Sequence, residues 1–207
     1  FMIFCSGVKN FKTSQSHVNE SLGHFIQLLK FVQSFKEKGL ANGKKQKVSL
    51  LFHSLGNLYM ELMIKNNLQK GLPNNLFSNL ILNAAAVNQE KHKNWVEKIK
   101  IQDRLYITSN KSDFNLKGLH IFTKNGKQLG EKITPVLASN ANYIHFDKSV
   151  GFKFKTGRSH TYFIGKVPAE NSTILDFYST LFHGKQPNLK NSSKFKWRKD
   201  NLGYEIK

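Results

Sequence analysis

A serine hydroxyl becomes a usable nucleophile only when a turn lifts it out of the fold, a base stands beside it, and N–H donors face the oxyanion that forms. The run Phe52-His53-Ser54-Leu55-Gly56 has the makings of such a turn. An apolar stretch, Val48 to Leu51, precedes it, and helix formers from Leu58 to Ile64 follow it. A sharp strand-to-helix bend exposes the Ser54 hydroxyl and points the Leu55 N–H to where negative charge develops, with the helix N-terminus adding a favourable dipole. The matching order of partners along a chain is serine, acid, histidine. Asp113 follows the strand-like run Arg104–Thr108, and His160 follows the strand-like run Asn142–Phe146. Loops leaving the C-terminal ends of parallel strands line the ligand crevice of an open α/β sheet, so these residues can meet.

The elements that must position them alternate between short β-rich runs and longer helical ones, which predicts an α/β fold with a mostly parallel sheet and helices on both faces. Residues 1–5 predict a first strand. Val18, Leu22, Phe25, Leu29 and Val32 share one helical face, in a helix expected to be capped by Ser16 and stopped at Gly39. Strands are predicted over Val48–His53, Leu80–Ala84, Arg104–Thr108 and Asn142–Phe146, with helices over Lys91–Lys98 and Ser172–Phe182, the last ending at Gly184. This gives one domain over residues 1–184 and a polar, basic tail over 185–207.

Four segments, His53-Ser54-Leu55-Gly56-Asn57, Tyr106 to Asp113 with its Thr-Ser-Asn core, Leu129-Gly130, and Gly157 to Phe163 around His160, resemble a group of small bacterial α/β-hydrolases of unassigned substrate. The likeness covers most of residues 1–183. It implies an α/β-hydrolase-like three-layer sandwich with nucleophile Ser54, acid Asp113, base His160 and Leu55 as one oxyanion donor. The implied substrate is a small molecule carrying an ester or thioester. Three departures from the group's pattern carry expectations. Phe52 stands where a small residue is usual and predicts a distorted elbow or a less accessible serine. Ala85-Ala86-Val87 stands where a Pro-Asp pair is usual. The chain begins on Phe1 and is read as lacking its natural start, with Phe1–Cys5 matching the strand after the one that donates the second oxyanion N–H. In the other alignment Phe1–Cys5 is that donor strand, and Cys5-Ser6-Gly7 supplies the N–H.

Other residues compete for these roles. Asp147, after the last predicted strand, is the alternative acid, while Asp103 opens a strand at the wrong end of the sheet. His53 is expected to point away from the catalytic face as a packed neighbour, and His145 and His183 as structural residues. No cluster has zinc-ligand spacing and no Gly-rich run ends in a phosphate-loop signature, so neither metal nor cofactor is expected.

With 207 residues, 39% hydrophobic and 17 Phe, the chain has ample material for a core and is not a disordered segment. Its formal net charge of +19 creates a positive field attractive to phosphate polymers and anionic surfaces. The lysines are spread along the chain and only Arg104, Arg158 and Arg198 are arginines, so no specific nucleic-acid partner is expected. The basic aromatic stretch Phe195-Lys196-Trp197-Arg198-Lys199 is read as solvated tail. A single cysteine, Cys5, excludes an internal disulfide and tilts the compartment toward the cytoplasm without fixing it. No apolar run is long enough for a membrane span, and nothing indicates an oligomeric state. Two further functions stay open: a catalytically silent binding protein on the same scaffold, and a basic module for nucleic acid or an anionic surface.

Overall fold

The computed structural model describes residues 2–3, 11–39, 46–123, 126–151 and 158–207. Among them lies one seven-stranded sheet, in the order β1-β2-β3-β4-β5-β7-β6. Its strands are β1 (Met2–Ile3), β2 (Ser49–His53), β3 (Phe77–Asn83), β4 (Gln102–Ser109), β5 (Ala141–His145), β6 (Phe195–Trp197) and β7 (Tyr204–Ile206). All neighbours run parallel except β6, which is antiparallel to β7. The α/β class and the mostly parallel sheet expected from the sequence are both present.

The apolar runs of β2, β3 and β4 are continuous because each strand is buried on both faces. Leu50 and Phe52 of β2, Leu80 and Leu82 of β3, and Leu105 and Ile107 of β4 enter one core. There they meet α2 (Leu22–Lys38) through Phe25, Leu29 and Val32, and α3 (Asn57–Lys65) through Met60 and Met63. The intervening Leu51, Ile81 and Tyr106 enter a second core. Its helical side comes from α5 (Phe114–Thr123) through Leu116 and Leu119, and from α7 (Ser172–Phe182) through Ile174, Phe177 and Leu181. Each such buried Leu or Ile contributes roughly 2 kcal/mol relative to exposure. The short helices α4 (Lys93–Val96) and α6 (Lys166–Glu170) complete the set, with α1 (Phe11–Glu20) leading into α2.

Several boundaries differ from expectation. The first helical region begins at Phe11, and a turn at Ser21 divides it into α1 and α2. Ser16 therefore lies inside a helix, where its hydroxyl donates to Glu20 Oε1 at 2.8 Å instead of capping. Gly39 stops α2 as expected, at φ 64° with its N–H on Lys36 O.

The segment from Lys185, expected as a tail, supplies β6 and β7. Ile144 and His145 of β5 pair with Tyr204 and Glu205 of β7, and Phe195 and Ile206 are buried in the second core. Arg198 fastens this hairpin to the sheet through Glu205 at 2.9 Å and Asp147 at 3.1 Å.

Candidate active site

At the end of β2 the backbone passes from extended His53 (φ −117°, ψ 138°) through Ser54 at φ 53° into helical Gly56 (φ −55°, ψ −24°) and α3. A left-handed conformation is costly for a residue with a Cβ and persists only where its surroundings enforce it. Here they do. The Ser54 carbonyl accepts from Ala86 N at 3.1 Å and from Asn57 Nδ2 at 2.8 Å. The same Asn57 amide also reaches the carbonyls of Phe52 and Asn83, each at 3.3 Å.

Phe52 leaves the left-handed bend in place, contrary to the expected distortion, but Ser54 is buried, at 9% exposure, so it is less accessible than an exposed elbow serine. Strand alternation turns the Phe52 ring into the first core, edge-on to Phe25 at 5.6 Å and away from the bend. Ala85-Ala86-Val87 contributes through its backbone: Ala86 N donates to the Ser54 carbonyl. Gly130 lies so close behind that a Cβ there would sit 2.2 Å from Ala84 C.

Asp113 and His160 are brought together. His160 Nδ1 lies 2.6 Å from Asp113 Oδ2, with the carboxylate fully buried. The other carboxylate oxygen accepts from Asn115 N at 3.0 Å and Leu116 N at 3.1 Å, so Asp113 also caps α5. An imidazole that gives its Nδ1–H to a carboxylate keeps Nε2 as acceptor while neutral. Asn110 ties the parts together: its Nδ2 donates to Ser159 O at 2.9 Å, its N–H to Gly130 O at 2.9 Å, and its carbonyl accepts from Asp113 N at 3.0 Å.

Asp147 is not at His160. It accepts from Lys111 N at 2.8 Å and from Arg198. His145 bonds Ser109 Oγ and Leu202 O, and His183 bonds Ser179 O at the end of α7. Asp103 is exposed.

His53 does not turn away as expected. Its ring packs against His160 with centroids 4.5 Å apart and against Phe163 at 4.9 Å, while Asn83 Nδ2 donates to its Nδ1 at 3.2 Å. Burial, and then the charge His160 can carry, push His53 down to about 3, so the ring is neutral at ordinary pH. The reason is again alternation: His53 shares the side of Leu51, on which Tyr162 and Phe163 lie.

Behind His53 runs a buried polar chain that sequence reasoning missed. Asn83 Oδ1 accepts from Thr108 Oγ1 at 2.9 Å and Tyr178 OH at 2.6 Å, and Tyr162 OH lies 2.7 Å from Thr108 Oγ1. Burial raises both tyrosines far above their ordinary range, which keeps them protonated. A polar Asn inside the apolar run Leu80-Ile81-Leu82-Asn83 was the signal available for it.

Leu55 is buried directly after the bend. β1 lies beside β2 and parallel to it, with Ile3 opposite Phe52. Cys5-Ser6-Gly7, the other source of an oxyanion N–H weighed from sequence, lies outside the described residues. Among the described residues no group of three or more His, Cys, Asp or Glu could hold a metal ion, and no helix is long and apolar enough to cross a membrane.

No family model matches the chain, and no curated protein or solved structure matches it either. Its chemistry has to be read from these residues alone.

Proposed function

We propose that the chain is a serine hydrolase of the α/β-hydrolase type, transferring the acyl group of a small ester or thioester to water. One observation carries the reading: Asp113 and His160, from loops after β4 and β5, are joined at 2.6 Å against His53, the residue next to a left-handed Ser54. A sheet with a core on each face supports the three-layer sandwich this requires.

In this mechanism His160 Nε2 takes the Ser54 proton as Oγ bonds to the acyl carbon. The carbonyl oxygen, now negative, faces the Leu55 N–H. Asp113 fixes the imidazole by its Nδ1–H and stabilises the imidazolium. Collapse breaks the bond to the leaving alcohol or thiol, which departs with the proton from His160. Water then attacks the acyl-serine by the same route and releases the acid.

A fluorophosphonate probe tests the assignment. Labelling of the wild type that vanishes in Ser54→Ala supports it. Absence of labelling in the folded wild type defeats it and leaves a catalytically silent binding protein.

A further inference from the structure

We propose that the surface between the Ser109–Asp113 loop and the β6–β7 hairpin is a binding site for a small phosphate-bearing ligand, independent of the chemistry at Ser54. Two cavities, of about 330 and 390 Å³, adjoin there and share Lys111, Asp147, Arg198 and Asp200 in their walls. Lys111, Lys117, Lys132, Lys148, Lys196 and Lys199 ring them. The walls hold four carboxylates, Asp147, Asp200, Glu205 and Glu131, against these six lysines and Arg198, so the cations remain in excess. Asp147, Asp200 and Glu205 all converge on the Arg198 guanidinium, at 3.1, 2.7 and 2.9 Å. Asp147 and Glu205 also accept the backbone N–H groups of Lys111 and Lys148. Lys111, Lys132, Lys148, Lys196 and Lys199 have no ion-pair partner among the described residues.

Two further features point to a ligand rather than to a solvated charged face. Ser112 is 1% exposed and lines the inner cavity, yet its hydroxyl has no hydrogen-bond partner among the described residues. A hydroxyl buried without a partner is costly, so a ligand that supplies one is favoured there. Trp197, half exposed, stands in the outer cavity, held edge-on by Tyr204 at 4.8 Å and through its indole N–H by Asn201. Lysines act on phosphate as point charges, and an indole face stacks on a flat ring. Charge spread over two joined cavities suits several phosphate oxygens better than one carboxylate. This gives the stretch Phe195–Lys199 a place in the molecule: Phe195 anchors the strand in the core, Arg198 gathers three of the acids, and Lys196, Trp197 and Lys199 face the cleft.

Titration with inorganic pyrophosphate, followed by tryptophan fluorescence, tests the site, since Trp95 is buried in the first core and Trp197 reports on the cleft. Saturable quenching is expected, absent in Trp197→Phe and unchanged in Ser54→Ala. The triple variant Lys111→Gln, Lys196→Gln, Lys199→Gln should weaken binding by about tenfold or more, and Ser112→Ala by a few-fold. A charge-matched control, Lys30→Gln, Lys38→Gln, Lys70→Gln, should bind as the wild type does. Equal weakening in both triples would reduce the effect to net charge and overturn the proposal, as would failure to saturate in the millimolar range. A single-stranded oligonucleotide binding far more tightly than pyrophosphate at the same salt would assign the surface to a polymer and overturn it too.

Discussion

The imidazoles of His53 and His160 lie with centroids 4.5 Å apart and planes inclined at 49°, one ring buried and neutral against the other, which is bonded to Asp113. The arrangement makes stability depend on pH. In the unfolded chain His53 takes a proton below its ordinary value of 6.5, whereas the folded ring refuses it until about 3. The unfolded state therefore binds more protons across that window, and the folded state loses stability as pH falls through it. Between pH 7 and 4 this one group should remove about 3 kcal/mol. Urea unfolding of the wild type and His53→Phe at both pH values checks it: the variant should lack that share of the loss, and parallel losses would refute the account.

Asp113 serves two partners with its two oxygens, so two substitutions should separate its roles. Asp113→Asn keeps an acceptor for the first turn of α5 but weakens the hold on the His160 tautomer. Its labelling rate should drop on the order of 10³–10⁴ with little change in stability. Asp113→Ala loses the cap as well and should cost about 1–2 kcal/mol more in denaturant unfolding. Similar stability of the two variants would argue against the capping role.

The Asp113–His160 pair and the bend at Ser54 are legible because a parallel sheet delivers the loops after its strands to one end, and each residue follows a run apolar enough to read as a strand. The direction of His53 was misread. Period-two alternation through Leu51-Phe52-His53 already places Phe52 in one core and His53 facing the other, but the site on that second side only becomes visible once the loop bearing His160 is folded over it. Helix α5 went unread because Asp113 was considered only as an acid, although Leu116 and Leu119 follow it at helical spacing. The C-terminal strands are three residues long, and each puts a single apolar anchor, Phe195 or Ile206, into the second core. What holds them is pairing with β5 and the Arg198 contacts, which are non-local and leave no periodic trace.

Asn57 holds the bend together. Its amide donates to three buried carbonyls, those of Phe52, Ser54 and Asn83. Asn57→Ala should destabilise the fold by about 2–3 kcal/mol, since those groups lose a shared donor in a dry site. It should also slow Ser54 labelling in protein that is still folded, because the left-handed backbone loses the side-chain one of its braces, keeping the N–H groups of Ala86 and Asn57. Thermal unfolding and labelling rates, measured below the variant's transition, test both effects; loss of stability without loss of labelling would mean that the backbone N–H groups of Ala86 and Asn57 are enough to hold the bend.

Gly130 offers a sharper test of how the surroundings of the bend are built. An added Cβ would lie 2.2 Å from Ala84 C and Ala85 N, and both obstacles are backbone, which cannot swing aside as a side-chain tip can. Gly130 N donates to Ala85 O, and Gly130 O accepts from Asn110 N, each at 2.9 Å, so the displaced chain would disturb the two loops that hold Ser54 and Asp113. Gly130→Ala should cost about 3 kcal/mol or more and reduce labelling sharply. Gly23→Ala in α2, where nothing lies within 4 Å of the new methyl, should instead stabilise the fold by about 0.5–1 kcal/mol and leave labelling untouched. Both are read from urea unfolding and probe reactivity. A Gly130→Ala protein as stable and reactive as the wild type would show that the Ala84–Ala85 and Gly130 backbones are not packed against each other at this site.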